Sequence, residues 1–273
     1  MRLLKGLIIV FIAIAFELKS QNSNSCDIVN NAFIPGEKVV YEMSYTWYFV
    51  WTDIGTVEFT VNSDKRFGKD MLHLKAVGES YAFYDWFFKV RDLYESWVDP
   101  VTLSPHYFNR DIYEGGFTKE NEYWFDWQRN ELSVRVRRKK GANRYDTLKL
   151  EKCVYDVVTA IYVSRNLDFG NVKQGKVFPV AAIMDEKVYH VGYRFLGREN
   201  KNIKGLGRLR CLKFQVDVVA SDIFEGDQRI YVWVADDGNK LPVLIESPIR
   251  VGSVTARVKS ARGLKYSLKS KIR

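Results

Sequence analysis

Residues that usually bind metal ions are scarce in this sequence of 273 residues. The three histidines, His73, His106 and His190, lie far apart, and none has the HxH or HExxH spacing of a zinc site. No pair of cysteines has CxxC spacing, and no calcium loop of the DxDxDG type occurs. The sequence therefore predicts no metal site.

Motifs for covalent catalysis and for nucleotide binding are also absent. Gly252-Ser253 lies in an alternating strand pattern and lacks the GxSxG elbow of a serine nucleophile. The GxG of "GLGRLR" (205–210) opens a strand, whereas phosphate binding requires a helix N-terminus behind the glycines. We therefore predict no catalytic residues and no cofactor. A pair of carboxylates acting as acid and base stays open, because only the separation in space defines such a pair.

A hydrophobic run long enough to span a membrane is missing. The apolar run covers residues 7–16, whereas a transmembrane helix needs about 20 apolar residues. Arg2 and Lys5 precede this run, and the combination predicts a secretory signal peptide over residues 1–20. We expect a periplasmic or secreted protein with no transmembrane helix after cleavage. A lipoprotein anchored at Cys26 is the alternative, which the polar residues 23–25 disfavour.

The chain has only three cysteines, Cys26, Cys153 and Cys211. An exported protein meets an oxidising compartment, and an odd number of cysteines leaves at least one unpaired. Cys153–Cys211 is the pair that we consider first. The alternative is that both are isolated thiols that pack as small hydrophobic residues.

What the sequence does contain is a large apolar and aromatic fraction, 47% and 15% of the residues. Such a chain buries a sizeable core rather than staying disordered. It has no internal repeat and no linker rich in proline or serine. We expect a flexible lead over residues 21–32 and a single β-rich domain over residues 33–273 that ends in a basic tail.

Alternation of polar and apolar residues dominates the chain. In "EKVVYEMSYTW" (37–47), Tyr41, Met43 and Tyr45 share one face of a strand, and Glu42 and Ser44 share the other. Turn signals such as "ADDGNK" (235–240) divide the chain into about ten to twelve strands. The predicted fold class is mainly β, a large antiparallel sheet curled or closed into a barrel. An open half-barrel of the lipoprotein-carrier type is the alternative.

One segment, "CVYDVVTAIYVSRNLDFG" (153–170), has helical rather than alternating spacing. It predicts the main α-helix over about residues 156–166. Asp156 is suited to the N-cap, and Arg165 lies near the end where a cation complements the helix dipole. A second, short helix is predicted within "YAFYDWFF" (81–88).

The stretch "FFKVRDLYESWVD" (87–99) predicts a strand with one anomaly. Asp92 falls on the apolar face with Val90 and Tyr94, where a carboxylate is costly unless it is paired. We predict a structural ion pair between Asp92 and either Arg165 or Arg110. A functional site at Asp92 is the alternative.

Aromatic residues occur in dense groups whose members cannot all face one core, because neighbouring side chains on a strand point to opposite faces. Some must lie against a helix, a lipid-like ligand or a partner, and a curved apolar face would accommodate an acyl chain. The alternative is ordinary core packing. The groups are Trp47, Tyr48, Phe49 and Trp51; Tyr81, Phe83, Tyr84, Trp86, Phe87 and Phe88; and Tyr123, Trp124, Phe125 and Trp127.

The formal net charge of +9 is concentrated in two stretches, residues 133–144 and 257–273. A basic surface would attract anionic lipid headgroups, lipopolysaccharide phosphates or acidic glycans, and export disfavours nucleic acid. A solvated surface that keeps the protein soluble is the alternative. We expect a monomer. The candidate basic binding patch consists of Arg135, Arg137, Arg138, Lys139 and Lys140.

Several segments resemble, in order, the domain-of-unknown-function family 3108. They include "FIPGEKVVYEMSY" (33–45), "KVRDLYESWVDPVTLSPHYFNRDIYE" (89–114), "YDVVTAIYVSRNLDF" (155–169) and "VWVADDGNKLPVLIE" (232–246). The resemblance implies an exported bacterial protein, mainly antiparallel β, with no known activity, ligand or catalytic residues. The residues and the resemblance together predict a non-catalytic cell-envelope protein that binds a lipid-like, glycan or outer-membrane protein partner. The alternative is a carboxylate-based periplasmic hydrolase.

Overall fold

A computed structural model describes residues 28–138, 141–217, 229–249 and 251–272, which form one sheet of 15 strands and two α-helices. The helices are α1 Asp85–Phe88, which follows a 3-10 turn at Ala82–Tyr84, and α2 Val157–Ser164. The strands are β1 Lys38–Trp47, β2 Val50–Arg66, β3 Lys69–Ser80, β4 Val90–Val98, β5 Pro105–Glu114, β6 Phe117–Asp126, β7 Glu131–Arg138, β8 Arg144–Lys149, β9 Val154–Asp156, β10 Val177–Met184, β11 Lys187–Ile203, β12 Gly207–Asp217, β13 Ile230–Ala235, β14 Pro242–Pro248 and β15 Ser253–Arg262.

The sheet is antiparallel throughout except where β9 pairs with β10. The chain starts in the middle of the sheet at β1, runs outward to the edge strand β8, crosses to the other edge at β9, and returns through β10 to β15, which pairs with β1. The predicted antiparallel β fold is confirmed. The strands are more numerous than the turn signals indicated, since strands as short as β9 show no alternation.

The sheet curls around α2. This helix lies against β3, β4, β9 and β10, and β9 also reaches β5, so the two halves of the sheet meet across the helix. Within the described residues the edge strands β8 and β9 are not paired with each other. The fold is therefore a curled sheet with a filled interior, and its inner face buries α2 residues such as Val158, Tyr162 and Val163.

The start of α2 is fixed by Asp156, as the sequence predicts. One oxygen of its buried carboxylate accepts hydrogen bonds from the amides of Val158 (3.0 Å) and Thr159 (2.9 Å). The other accepts from the hydroxyls of Ser96 and Thr159, both at 2.6 Å. Burial raises the pKa of Asp156, and these hydrogen bonds oppose the rise. Because Ser96 belongs to β4, the cap also attaches the helix to the sheet.

Replacing Asp156 with alanine is expected to lower the free energy of unfolding by about 2–4 kcal/mol, because the helix loses its N-cap and the two buried hydroxyls lose their carboxylate acceptor. Urea denaturation followed by circular dichroism measures the change. Asp156→Asn is the matched control, because asparagine caps helices about as well as aspartate and should retain much of the stability. Equal stability of Asp156→Ala and the wild type would contradict this role.

Both chain ends pack more closely than the sequence indicated. Ile28 and Ala32, in the expected flexible lead, are buried, and the amide of Asn31 donates to Asn166 Oδ1 at 2.7 Å. In the basic tail Ser270 is buried and the amide of Ile272 donates to the carbonyl of Arg208 at 2.8 Å. The predicted signal peptide over residues 1–20, Cys26 and the first part of the lead lie outside the described residues.

The cysteines do not form the pair that we considered first. Cys211 is a free, buried thiol, and burial raises its pKa to about 11. Cys153 is disulfide-bonded. A Cys153–Cys211 bond is therefore excluded, and Cys211 packs as a small hydrophobic residue.

Candidate functional site

An interior polar cluster lies on the inner face of β4, β5 and β6, at the end of the sheet that carries the β1–β2, β3–β4, β5–β6 and β10–β11 turns. Most of its side chains are almost completely buried. The cluster consists of Asp92, Arg110, Glu114, Lys119, Asn121 and Asp185.

The cations of the cluster are paired with the β10–β11 turn. Asp185 Oδ1 lies 3.1 Å from Arg110 Nη1 and 2.5 Å from Lys119 Nζ. Burial acts to raise the pKa of Asp185, but these two cations outweigh it and hold the pKa below its usual range. Asp185 and Glu186 both have positive φ, 48° and 62°, as a tight two-residue hairpin turn requires. The turn thus closes this end of the interior.

The acids Asp92 and Glu114 form a buried pair on neighbouring strands. Burial and the adjacent Glu114 raise the pKa of Asp92 to about 8, and Arg110 opposes the rise. The two carboxyls are hydrogen-bonded to each other, and Asp92 Oδ1 also accepts from the amide of Tyr113 at 3.2 Å. Two buried carboxyls in contact share a proton near neutral pH.

Both predicted partners of Asp92, Arg165 and Arg110, form ion pairs with other acids. Asp92 is buried on the inner face, where the alternation places it, but Arg165 lies at the far end of α2 and pairs with Glu37. Arg110 is close enough to affect the pKa of Asp92, yet its ion pair is with Asp185. The expected ion pair is thus replaced by a shared proton between Asp92 and Glu114.

Sequence reasoning missed the members of the cluster on β6. Lys119 and Asn121 share the buried face of the strand with Tyr123 and Phe125. A polar residue in an otherwise apolar alternation is the signal that singled out Asp92, and the same test would have found these two. Asp185 carried no such signal, because it belongs to a turn.

Several buried polar atoms in the cluster have no hydrogen-bond partner among the described residues: both amide atoms of Asn121 and Nε of Arg110. Buried polar atoms in native proteins are almost always bonded to protein or to water, so the cluster is suited to internal water. A substrate would not reach it, because Asp92 is 2% exposed and Glu114 is 4% exposed. The enclosed carboxyls of Asp92 and Glu114 are therefore placed to hold a proton.

Among the described residues, the apolar space beside α2 leaves little room for a ligand. A cavity of about 40 Å³ lies between α2 and the strands β11 to β14, and Phe169, Phe214 and Val232 are among the residues that line it. Ligand pockets usually measure about 300–1,000 Å³. The cavity is therefore too small for the acyl chain that a concave sheet was expected to hold.

The most unusual surface is the aromatic rim, which is formed by the tips of the β1–β2 and β3–β4 turns at the same end of the sheet as the polar cluster. Phe49 is 95% exposed, Tyr48 is 87% exposed and Trp86 is 82% exposed. Two of the three aromatic groups of the sequence supply the rim. It consists of Trp47, Tyr48, Phe49, Trp51, Phe83, Trp86 and Phe87.

The two turns that carry the rim are held together by hydrogen bonds. The hydroxyls of Thr52 and Tyr84 are hydrogen-bonded and join the two tips. Asp85, at the start of α1, accepts from the hydroxyl of Ser80 at 2.6 Å and from Arg91 Nη2 at 2.6 Å. The ring of Phe88 packs directly on Gly115, where a β-carbon would lie 2.5 Å from the ring. The exposed rings are therefore presented by an ordered support.

The predicted basic patch is partly neutralised by the neighbouring strand. Arg135 pairs with Glu122, and Arg137 pairs with Glu120, since the β6–β7 register places each acid opposite its arginine. Arg138 is exposed, and Lys139 and Lys140 lie outside the described residues. Two of the arginines of strand β7 are thus neutralised by acids on β6, and the positive charge of the patch is smaller than the sequence indicates.

The described residues contain neither a metal-binding cluster nor a membrane-spanning helix. No group of three or more histidine, cysteine, aspartate or glutamate side chains in this part of the chain is placed to hold a metal ion. None of its helices has the length and apolar character needed to cross a membrane.

Comparisons with known proteins support the fold and the family. The family described as "Protein of unknown function (DUF3108)" matches residues 40–259. No curated protein matches the chain. The crystal structure of a β-barrel-like protein of domain of unknown function DUF1849 from Brucella abortus is similar, with a TM-score of 0.52 and 8% identity over 85% of this chain and 98% of that one. At this identity the likeness concerns the fold alone.

Proposed function

The chain belongs to the DUF3108 family of proteins of unknown function, and from that premise we propose that it is an exported cell-envelope protein that acts by binding a partner through the aromatic rim. The observation that carries the proposal is the exposure of seven aromatic side chains on one ordered support. Monomeric proteins rarely leave large contiguous apolar patches exposed unless the patch is functional. Lipid-like, glycan and protein partners all use such rings.

Export is supported by two features of the chain. The basic residues and short apolar run within residues 1–20 have the arrangement of a signal peptide. Cys153 is disulfide-bonded, and structural disulfides persist mainly in oxidising compartments such as the periplasm.

Binding is better supported than hydrolysis. Asp92, whose pKa is raised, and its neighbour Glu114 are enclosed by the sheet. A general acid must reach its substrate within hydrogen-bonding distance. The rim, in contrast, is accessible from solvent.

The test is to express the full chain and the variant Trp86→Ser/Phe87→Ser, and to fractionate the cells gently. We expect the wild type in the envelope fraction, with residues 1–20 removed according to mass spectrometry, and the variant released from it. Both replaced side chains are mostly exposed, so the variant should unfold within about 0.5 kcal/mol of the wild type.

The control is Phe67→Asn, which removes one exposed aromatic side chain at the opposite end of the sheet. This variant should stay in the envelope fraction. A wild-type protein found in the cytosol, or a rim variant retained as strongly as the control, would refute the proposal.

A further inference from the structure

We propose that the aromatic rim docks on the surface of a lipid bilayer with anionic headgroups. This inference rests on the proposed function, for which it names the partner. It is carried by the side chains of the rim, by the backbone at its tip, and by the charges around it.

The rim places uncharged aromatic rings where a bilayer interface would accept them. Its first tip reads "WYFVW" (47–51) without a charged residue. The second tip contains a single charge, Asp85, and Arg91 neutralises it at 2.6 Å. Tryptophan and tyrosine favour the headgroup level of a membrane, because their rings are amphipathic. Docking would therefore bury apolar rings without burying an unpaired charge.

The conformation of Tyr48 indicates that an aromatic side chain is kept at the tip despite strain. Its φ is 51°, in the left-handed region that asparagine and glycine adopt more easily. A bulky side chain in this region is strained. The large exposed ring is the feature that an asparagine or glycine at this position would lack.

Exposed cations lie at the same end of the sheet as the rim. Lys89 directly follows α1, Arg138 ends β7, and Lys187 begins β11. None of the three forms an ion pair with another residue in the part of the chain that the structure describes. Exposed cations at the end of the sheet that carries the rim are complementary to anionic headgroups that border an apolar layer, since basic groups are attracted to the negative potential of such a surface.

The shape of the rim also favours a bilayer. The rings project from two turns and do not line a concave site. The headgroup region of a bilayer is deformable, so both tips can enter it together. An amphipathic surface of aromatic and basic residues lies in the plane of the headgroups and does not span the membrane.

The experiment uses the protein purified from the cell envelope, with phosphatidylcholine vesicles that either contain or lack phosphatidylglycerol. Co-sedimentation measures the fraction bound. We expect binding to be stronger with phosphatidylglycerol, and Tyr48→Asn/Phe49→Ser to lower the affinity at least about tenfold, because two largely exposed rings no longer enter the interface. Asparagine suits the backbone at position 48, so the fold is retained.

Phe67→Asn is the matched control, because Phe67 also has a positive φ, 53°, at a hairpin tip, but at the opposite end of the sheet. It should bind vesicles as the wild type does. Lys89→Gln should weaken binding about fivefold when phosphatidylglycerol is present and leave binding to phosphatidylcholine alone unchanged, since each basic residue near an anionic surface contributes about that factor.

Loss of binding in the rim variant but not in the control supports the inference. The inference is overturned if the protein binds neither vesicle type while the rim still retains it in the envelope fraction. That result would leave the proposed function standing and would point to a glycan or protein partner. Equal binding by the rim variant and the control also overturns it. The inference is also overturned if sedimentation velocity shows a dimer that forms through the rim and does not bind vesicles.

Discussion

Replacing Arg165 with methionine is expected to lower the free energy of unfolding by about 3–5 kcal/mol, because it leaves a buried carboxylate without its partner. Arg165 Nη1 lies 2.5 Å from Glu37 Oε1, and Nη2 lies 2.9 Å from Oε2. The side chain of Glu37 is 0% exposed. Such a bidentate pair is strong when complete and strongly destabilising when one partner is lost.

The same arginine joins three parts of the fold. It is the C-terminal cap of α2, its Nε donates to the carbonyl of Asn239 at 3.1 Å, and its Nη2 donates to the carbonyl of Ala32 at 3.4 Å. The guanidinium also lies 5.3 Å from the ring centre of Phe33. Its removal therefore loosens the helix, the β13–β14 hairpin and the segment before β1 together.

Urea denaturation of three variants tests this role. Arg165→Met should show the large loss, and the double variant Glu37→Leu/Arg165→Met should recover much of it, since no buried charge is then left unpaired. Arg129→Met is the surface control. Its side chain is 77% exposed and lies 3.9 Å from Asp126, a pair worth less than about 1 kcal/mol. Equal losses for Arg165→Met and Arg129→Met would contradict the assignment.

Replacing Asp92 with asparagine is expected to flatten the dependence of stability on pH. The pKa of Asp92 is about 8 in the folded protein, against an ordinary value of 3.8. Between these values the folded state holds a proton that the unfolded state has released. The contribution of Asp92 to stability is therefore greatest at low pH, falls by up to about 1.4 kcal/mol per pH unit as the pH rises through this window, and levels off above about pH 8.

Asparagine resembles the protonated acid in shape and cannot lose the proton. The loss of stability between pH 5 and pH 8 should therefore shrink by about 2–4 kcal/mol in Asp92→Asn. Glu114→Gln should act similarly, because the pair shares one proton. Urea denaturation at several pH values measures this, with the exposed Glu131→Gln as control. A curve for Asp92→Asn parallel to that of the wild type would rule out the shared proton.

Predictability from the sequence depended on the range of the interaction. The N-cap at Asp156 was predictable because its backbone partners, Val158 and Thr159, lie within one helical turn. The burial of Asp92 was predictable because the alternation of a strand repeats every second residue. The excess of aromatic side chains over what one face can bury was predictable for the same reason.

The partners of the buried charges were not predictable. Glu37 lies 128 positions before Arg165, and Asp185 lies 66 positions after Lys119. The β6–β7 register that neutralises Arg135 and Arg137 is likewise a property of strand pairing and not of either strand alone.

The sequence alone therefore determined the antiparallel strands, the main helix with its cap, and the surplus of aromatic side chains. The tertiary structure alone decided that two distant turns unite those side chains in one rim, that α2 fills the space where a ligand was expected, and that Asp92 shares a proton with Glu114. The physical reason is that hydrogen bonds within a turn and the periodicity of a strand act over a few residues. Charge pairing and cavity size depend on how far the sheet curls.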